Sequence, residues 1–302
     1  MIKLTGMVKR NCLVFLKDKG AVFFSILAMI IVLALTGIFL GEMNAESVTD
    51  LLEQYGGARN AAMDKENARH LTQYWTLAGL MVVNSLTVTL TVIGTMVSDK
   101  TSDKLKSFYT APVSRFMIAV SYIISAVIIG FVFCAVTLLG YMSYIGMTGG
   151  VLLSFFVTAK VLGYTFLNVI LFSVISYLAA LFVKSTNAWG SIAMVVGTLV
   201  GFMGAVYVPV GSLTDSVVTV LKCFPILHGA SLMRKAMCED MLAKTFEGVR
   251  IEVLEGYRKA MGIDIFIDAK VISDELQVLF LFVCGMITLV LIAVTAKKRE
   301  AV

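Results

Sequence analysis

Six long apolar runs, separated by polar stretches, set the pattern of this chain. They occupy residues 21–40, 77–97, 117–142, 152–183, 188–208 and 276–296. Lys160, near one end of its run, is the only charged side chain within them. A run of about 20 apolar residues matches the hydrocarbon thickness of a bilayer when it is helical. The pattern therefore predicts an all-α polytopic membrane protein with six transmembrane helices. Lys160 can carry its ammonium group to the interface on its flexible stem.

The segments between the runs differ in kind. Residues 1–19 are amphipathic: Leu4, Met7, Val8, Cys12 and Phe15 share one helical face, with Lys3, Lys9, Arg10 and Lys17 elsewhere. This predicts an N-terminal helix lying on an anionic membrane surface. A cleavable signal peptide fits poorly, because the basic lead is long and the next run is span-length. Residues 41–74 and 238–273 are polar, mixed-charge stretches and are expected to be outer loops, the second with some helical character. Residues 212–237 hold two apolar pieces, each too short to cross, broken by Lys222, Pro225 and His228. A re-entrant or interfacial helical hairpin is the expectation there. Basic residues cluster at 3–19, 98–115, Lys184 and 297–299. The positive-inside tendency then puts both termini in the cytoplasm.

The polar stretch between the second and third runs, 97–115, reads VSDKTSDKLKSFYTAPVSR. Ser98, Asp99, Thr101 or Ser102 suits a helix start, and acids in a first turn suit the helix dipole. Leu105, Phe108 and Tyr109 follow at helical spacing on one side. Pro112 is expected to end that helix. A plain positive-inside anchor touching lipid headgroups is the bland alternative. The aromatic pair and Pro112 favour a short docking helix with Asp99, Lys100, Asp103, Lys104 and Lys106 around its apolar side.

Composition agrees with the pattern. The chain is 59% hydrophobic and only 15% charged, with a mean hydropathy of +0.90. Soluble domains carry about 25% charged residues. The net charge of +5 sits beside apolar runs and indicates membrane orientation, not nucleic acid. Five scattered cysteines form no CxxC pair; Cys223 and Cys238 are expected as free thiols in one outer loop, with a disulfide the less favoured reading. His70 and His228 have no ligand-spaced partners, so no metal site is expected.

Two further patterns lie inside the runs. Asn84, Thr87, Thr91 and Thr95 share one face of the second. They fit a substrate path, and equally well threonines that bond their own upstream carbonyls. Gly190, Gly197, Gly201 and Gly204 share a face of the fifth, with a GxxxG at 197–201. Small residues let helices approach closely, within one subunit or between two. No acid, arginine or histidine sits near the centre of a run, which argues against ion-coupled transport and a voltage sensor. There is no phosphate-binding loop, GxSxG or HExxH. Any ATP used must be bound by another chain.

This layout resembles the membrane subunit of type-2 ABC exporters, the ABC-2 type transporter permease family. The resemblance spans almost the whole chain. Its most specific piece is Asp99–Arg115, where Thr110-Ala111-Pro112-Val113-Ser114-Arg115 matches a "TxPVSR"-like end. The start departs, with Ser102-Asp103 where many members carry Gly-Thr. The resemblance implies a connecting helix at 1–19 and a cytoplasmic coupling helix at 98–115 that docks on a separate ATPase subunit. It also implies extracellular re-entrant helices at 212–237. Two ATPase copies would pair with this chain and a second copy or a related permease. ATP and Mg would sit on the partner, with no cofactor on this chain. The cargo would be amphipathic or hydrophobic: a drug, peptide or lipid. The expected location is a bacterial cytoplasmic membrane. A non-transporting receptor, immunity or signalling subunit that binds a peptide at 41–74 and 238–273 is the alternative. A membrane enzyme is a weak third.

Overall fold

The structure is a computed structural model, and it describes residues 2–35, 41–57, 59–109, 113–267 and 270–300. The helices are α1 (Ile2–Lys17), α2 (Lys19–Leu35), α3 (Gly41–Tyr55), α4 (Ala61–Thr101), α5 (Lys104–Tyr109), α6 (Arg115–Met147), α7 (Phe155–Phe182), α8 (Thr186–Met203), α9 (Asp215–Lys222), α10 (Pro225–Thr245), α11 (Ile251–Ala260) and α12 (Asp274–Glu300). Strands β1 (Phe266–Ile267) and β2 (Lys270–Val271) make a two-residue antiparallel ladder before α12. The protein is all-α and polytopic. Among the described residues α4, α6, α7, α8 and residues 274–295 of α12 are long and apolar enough to cross a membrane. The run at 21–40 appears as the 17-residue α2; its residues 36–40 lie outside the described residues.

The 41-residue α4 is the axis of the molecule. At about 1.5 Å per residue it is about 60 Å long, twice a bilayer core. It packs against α1, α2, α3, α5, α6, α7, α8 and α10, and 78% of its apolar window is buried. The same share is 17% for α8 and for α12. Those two present most of their apolar surface outward, to lipid or to another chain.

The two expected outer loops both contain helices, as the sequence already suggested for 238–273. In 41–74, α3 is a helix and α4 begins at Ala61 (capped by Asn60, whose side chain accepts from the amides of Ala62 and Met63). Asp64, Asn67, His70 and Gln73 are buried on the added turns. Hydropathy cannot find such a helix, because its buried face is polar. Arg59 satisfies part of it. Its Nε and Nη2 donate to Asp64 at 2.9 Å, and it also donates to the carbonyls of Thr245 and Glu247. The Asp64 hydrogen bond raises the Arg59 pKa. In 238–273, α10 runs on to Thr245 and α11 follows. Arg258 ties that region together through Asp264 (2.6 Å) and Glu239 (2.9 Å). Lys235 bridges Asp264 and Asp274 at 3.4 and 3.1 Å. These elements form a polar cap at the α4 N-terminal end.

Residues 212–237 are two helices, α9 and α10, bent by 91° at the break before Pro225. Proline at a helix start fixes φ and needs no N–H partner. Cys223 is exposed and Cys238 buried, both without a disulfide.

Candidate functional site

At the end of α4 opposite the cap, the polar stretch takes a form the sequence did not suggest. No helix starts at 98: α4 continues through Thr101. The Thr101 and Ser102 hydroxyls bond back to the Ser98 carbonyl at 3.1 and 2.8 Å, closing α4 rather than capping α5. The reversal comes at Asp103, whose φ of 59° is left-handed, a region that Asp tolerates better than most residues. The six-residue α5 follows. Leu105 is buried in the core, Phe108 is half-buried, and Lys104 is exposed. Pro112, and the side chains of Lys106 and Tyr109, lie outside the described residues.

The side chains of Asp99 and Lys100 bond into the bundle. Asp99 is 3% exposed. Arg10 of α1 forms a forked ion pair with it, one arm at 2.9 Å, and the Tyr122 hydroxyl of α6 donates to it at 2.6 Å. The Asp99 hydrogen bond raises the Arg10 pKa, and burial opposes it. The Arg10 guanidinium also lies over the Phe108 ring, 5.4 Å from its centre. Asn11 donates to Ser121 at 3.2 Å, and Ser125 to the Val8 carbonyl at 3.3 Å. Thus α1, expected as a surface helix, is fixed to α6 by a polar seam. Lys100 donates to the carbonyls of Leu181 and Val183 at 3.0 and 2.7 Å. A cation suits the negative end of α7. One turn of α4 therefore gathers α1, α5, α6 and α7.

Along its middle, α4 faces α8. Two glycines of α4 permit close approaches on this side. A Cβ on Gly79 would lie 2.7 Å from Val206, just past α8, and one on Gly94 would lie 2.9 Å from the Trp189 indole nitrogen. That indole donates to the Leu90 carbonyl at 3.2 Å. Between these two approaches lies a cavity of about 350 Å³. Asn84, Thr87, Thr91, Gly197 and Tyr207 line it, with Phe24 and Ser25 of α2 on another side. The walls are mostly apolar with a few hydroxyl and amide groups. Such a lining fits an amphipathic molecule.

Thr87 and Thr91 donate to the carbonyls of Val83 and Thr87 at 3.0 and 2.9 Å, yet both border the cavity. Asn84 donates to Thr137 of α6 at 3.2 Å. The GxxxG face approaches other helices of the subunit: a Cβ on Gly204 would lie 3.4 Å from Ile226 of α10. A Cβ on Gly197 would meet only the Thr87 methyl, at 3.9 Å, and the position opens onto the cavity. Gly201 makes room for the ring of Tyr207, which folds back from the same chain. Gly204 is the C-cap of α8. The sequence did not mark Trp189, Tyr207 or Gly79 as cavity-forming. Only their approach across the α4–α8 gap distinguishes them from ordinary apolar positions.

A family model described as ABC-2 type transporter matches residues 3–238. No curated protein matches the sequence. The matched range takes in the α1 seam, the α5 turn, the cavity and most of α10.

Proposed function

The chain belongs to the ABC-2 type transporter family, a permease component in a multi-pass membrane protein, and we propose that it moves an amphipathic or hydrophobic substrate out of the cell on energy from a separate ATPase. The observation that carries this reading is that one rigid helix, α4, bears both the cavity wall and the α5 turn. In this reading α5 docks on an ATPase subunit on the cytoplasmic side, with both termini on that side and the cap outside. Leu105 anchors α5 to the bundle, while Phe108 and Lys104 meet the partner. Asp99 and Lys100 act from inside. They transmit a push on α5 to α1 and α7 and so move the lower bundle as a unit. ATP-driven closure of the partner then tilts α4 against α8 and changes the cavity's affinity for its occupant. Transport energy enters as that difference in binding between two states.

Two permease copies, or this chain and a relative, with two ATPase subunits complete the transporter. The outward apolar face of α8, with Met194 at 74% and Val195 at 57% exposure, suits the second permease. The test is to co-express the chain with candidate ATPase subunits, purify in detergent, and measure mass and ATPase rate. A complex with two ATPase copies whose rate rises with amphipathic compounds is the expected result. A chain that binds none of them and purifies alone would overturn the reading.

A further inference from the structure

Arg234 of α10 is fully buried. Among the described residues no carboxylate pairs with it. Its Nη2 donates to the carbonyls of Gly204 and Ala205 at 2.9 and 2.7 Å, and its Nη1 to Gly262 at 3.3 Å. The guanidinium lies on the Trp75 ring of α4, 4.5 Å from its centre. Trp75 is itself held by a 2.8 Å hydrogen bond from its indole to the Met261 carbonyl. The Arg234 Nε has no partner among the described residues. A buried cation with no counter-charge is costly and persists only where dipoles replace its water.

What it holds is the turn after α8. The amide of Val206 bonds the Gly201 carbonyl at 2.8 Å, and that of Ala205 bonds Phe202 at 3.0 Å. This is the six-to-one and five-to-two pattern of a Schellman cap, whose left-handed position usually carries glycine. Here it is Ala205, with φ of 50°. The cap satisfies the carbonyls behind it and leaves those of Gly204 and Ala205 for Arg234. Of the next two residues, Val206 packs on Gly79, and Tyr207 lies against Gly201 and lines the cavity.

We propose that Arg234 is a positioning residue, a latch that ties the bent α9–α10 pair to the turn after α8 and so holds Val206 and Tyr207 closed over the outer end of the α4–α8 cavity. The proposal rests on the reading of that cavity as a transport path. A guanidinium suits this role. When the turn moves away, water reaches the charge and its vacant Nε, so the open state regains hydration that the closed state forgoes. The strained Ala205 position relaxes at the same step.

The test places a reporter thiol in the cavity by Thr87→Cys and adds a membrane-impermeant maleimide to intact cells, then to inverted vesicles, with labelling read peptide by peptide. Native Cys223, exposed in the bent pair, reports which side the cap occupies. Native Cys134, buried against Ser85 in the bundle, reports loss of the fold. Arg234→Gln is expected to speed labelling at position 87 from the Cys223 side by about tenfold or more, as hydrogen bonds to a charged group are lost. Cys134 stays unlabelled. Tyr207→Ala is expected to do the same, and the double variant to label no faster than Tyr207→Ala alone. Unchanged labelling in Arg234→Gln beside a rise in Tyr207→Ala would overturn the latch, as would additive effects. Should Arg234→Gln also expose Cys134, Arg234→Lys decides: faster labelling at 87 with Cys134 silent supports the latch, and no change overturns it. A Tyr207→Ala variant that leaves position 87 closed would instead refute the cavity as a path.

Discussion

Asp99 looks in the sequence like one acid in a basic, solvent-facing stretch. Folding turns it inward, where Arg10 and Tyr122 converge on it. Losing one partner of a buried ion pair leaves the other charge poorly compensated. Asp99→Asn is expected to lower stability by about 1–3 kcal/mol, less than a fully buried pair because Arg10 keeps some solvent contact. Arg10→Met in the same background should cost little more. Thermal unfolding of the four members of that cycle in detergent measures the coupling, and additive losses would show that the pair is not an energetic unit. Asp103 makes a backbone demand instead. Its left-handed φ predicts that Asp103→Gly keeps the fold intact, whereas Asp103→Val costs about 1–2 kcal/mol from β-branched strain. The spacing of charges was visible in the sequence. Which charges face inward was not, because the partners lie 89 and 23 positions away.

At the scale of elements, glycines differ in whether they pack against a neighbour or line the cavity. Gly79 and Gly94 sit where α4 meets Val206 and Trp189, so Leu at either position must displace the turn after α8 or the Trp189 indole. Gly79→Leu and Gly94→Leu are expected to lose folded protein, seen as aggregation on size exclusion. Gly197 faces the cavity with only a methyl at van der Waals distance. Gly197→Leu is expected to fold, with stability within about 1 kcal/mol of the parent, because it fills empty space rather than displacing a neighbour. It should also reduce stimulation of the partner ATPase by amphipathic compounds. Destabilisation of Gly197→Leu comparable to Gly79→Leu would make Gly197 a packing position. The apolar period found the helical runs. It could not show that α4 begins at Ala61, because the added turns bury polar groups against Arg59 and α10.

For the whole molecule, in the reading proposed here, a push on α5 reaches α1, α6 and α7 through Asp99 and Lys100 of α4. Phe108→Asp is expected to abolish stimulation of the partner ATPase while leaving membrane insertion and unfolding temperature nearly unchanged, since Phe108 is only half-buried and Arg10, which stacks on it, keeps its pairing with Asp99. Unaltered stimulation would remove α5 from the coupling route. The outward faces are also unequal in the reading proposed here. A Met194→Cys chain should cross-link to twice its mass in the membrane, whereas Val132→Cys on the outward face of α6 should not. Cross-linking at position 132 and none at 194 would place the second permease elsewhere.

The linear sequence by itself determined the class of molecule: a charge-poor, helical, membrane-crossing chain of the ABC-2 permease type. Those features depend on local hydropathy and on a short contiguous motif, and neither needs a partner distant in the chain. It also showed the threonine face of α4. Tertiary structure alone decided that this face and Gly197 border one cavity. It alone turned Asp99 and Lys100 inward and set Arg234 on Trp75 beneath the turn after α8. Each of those outcomes is a meeting of side chains and carbonyls far apart in sequence. Periodicity fixes which way a residue faces on its own helix, but not what stands opposite it.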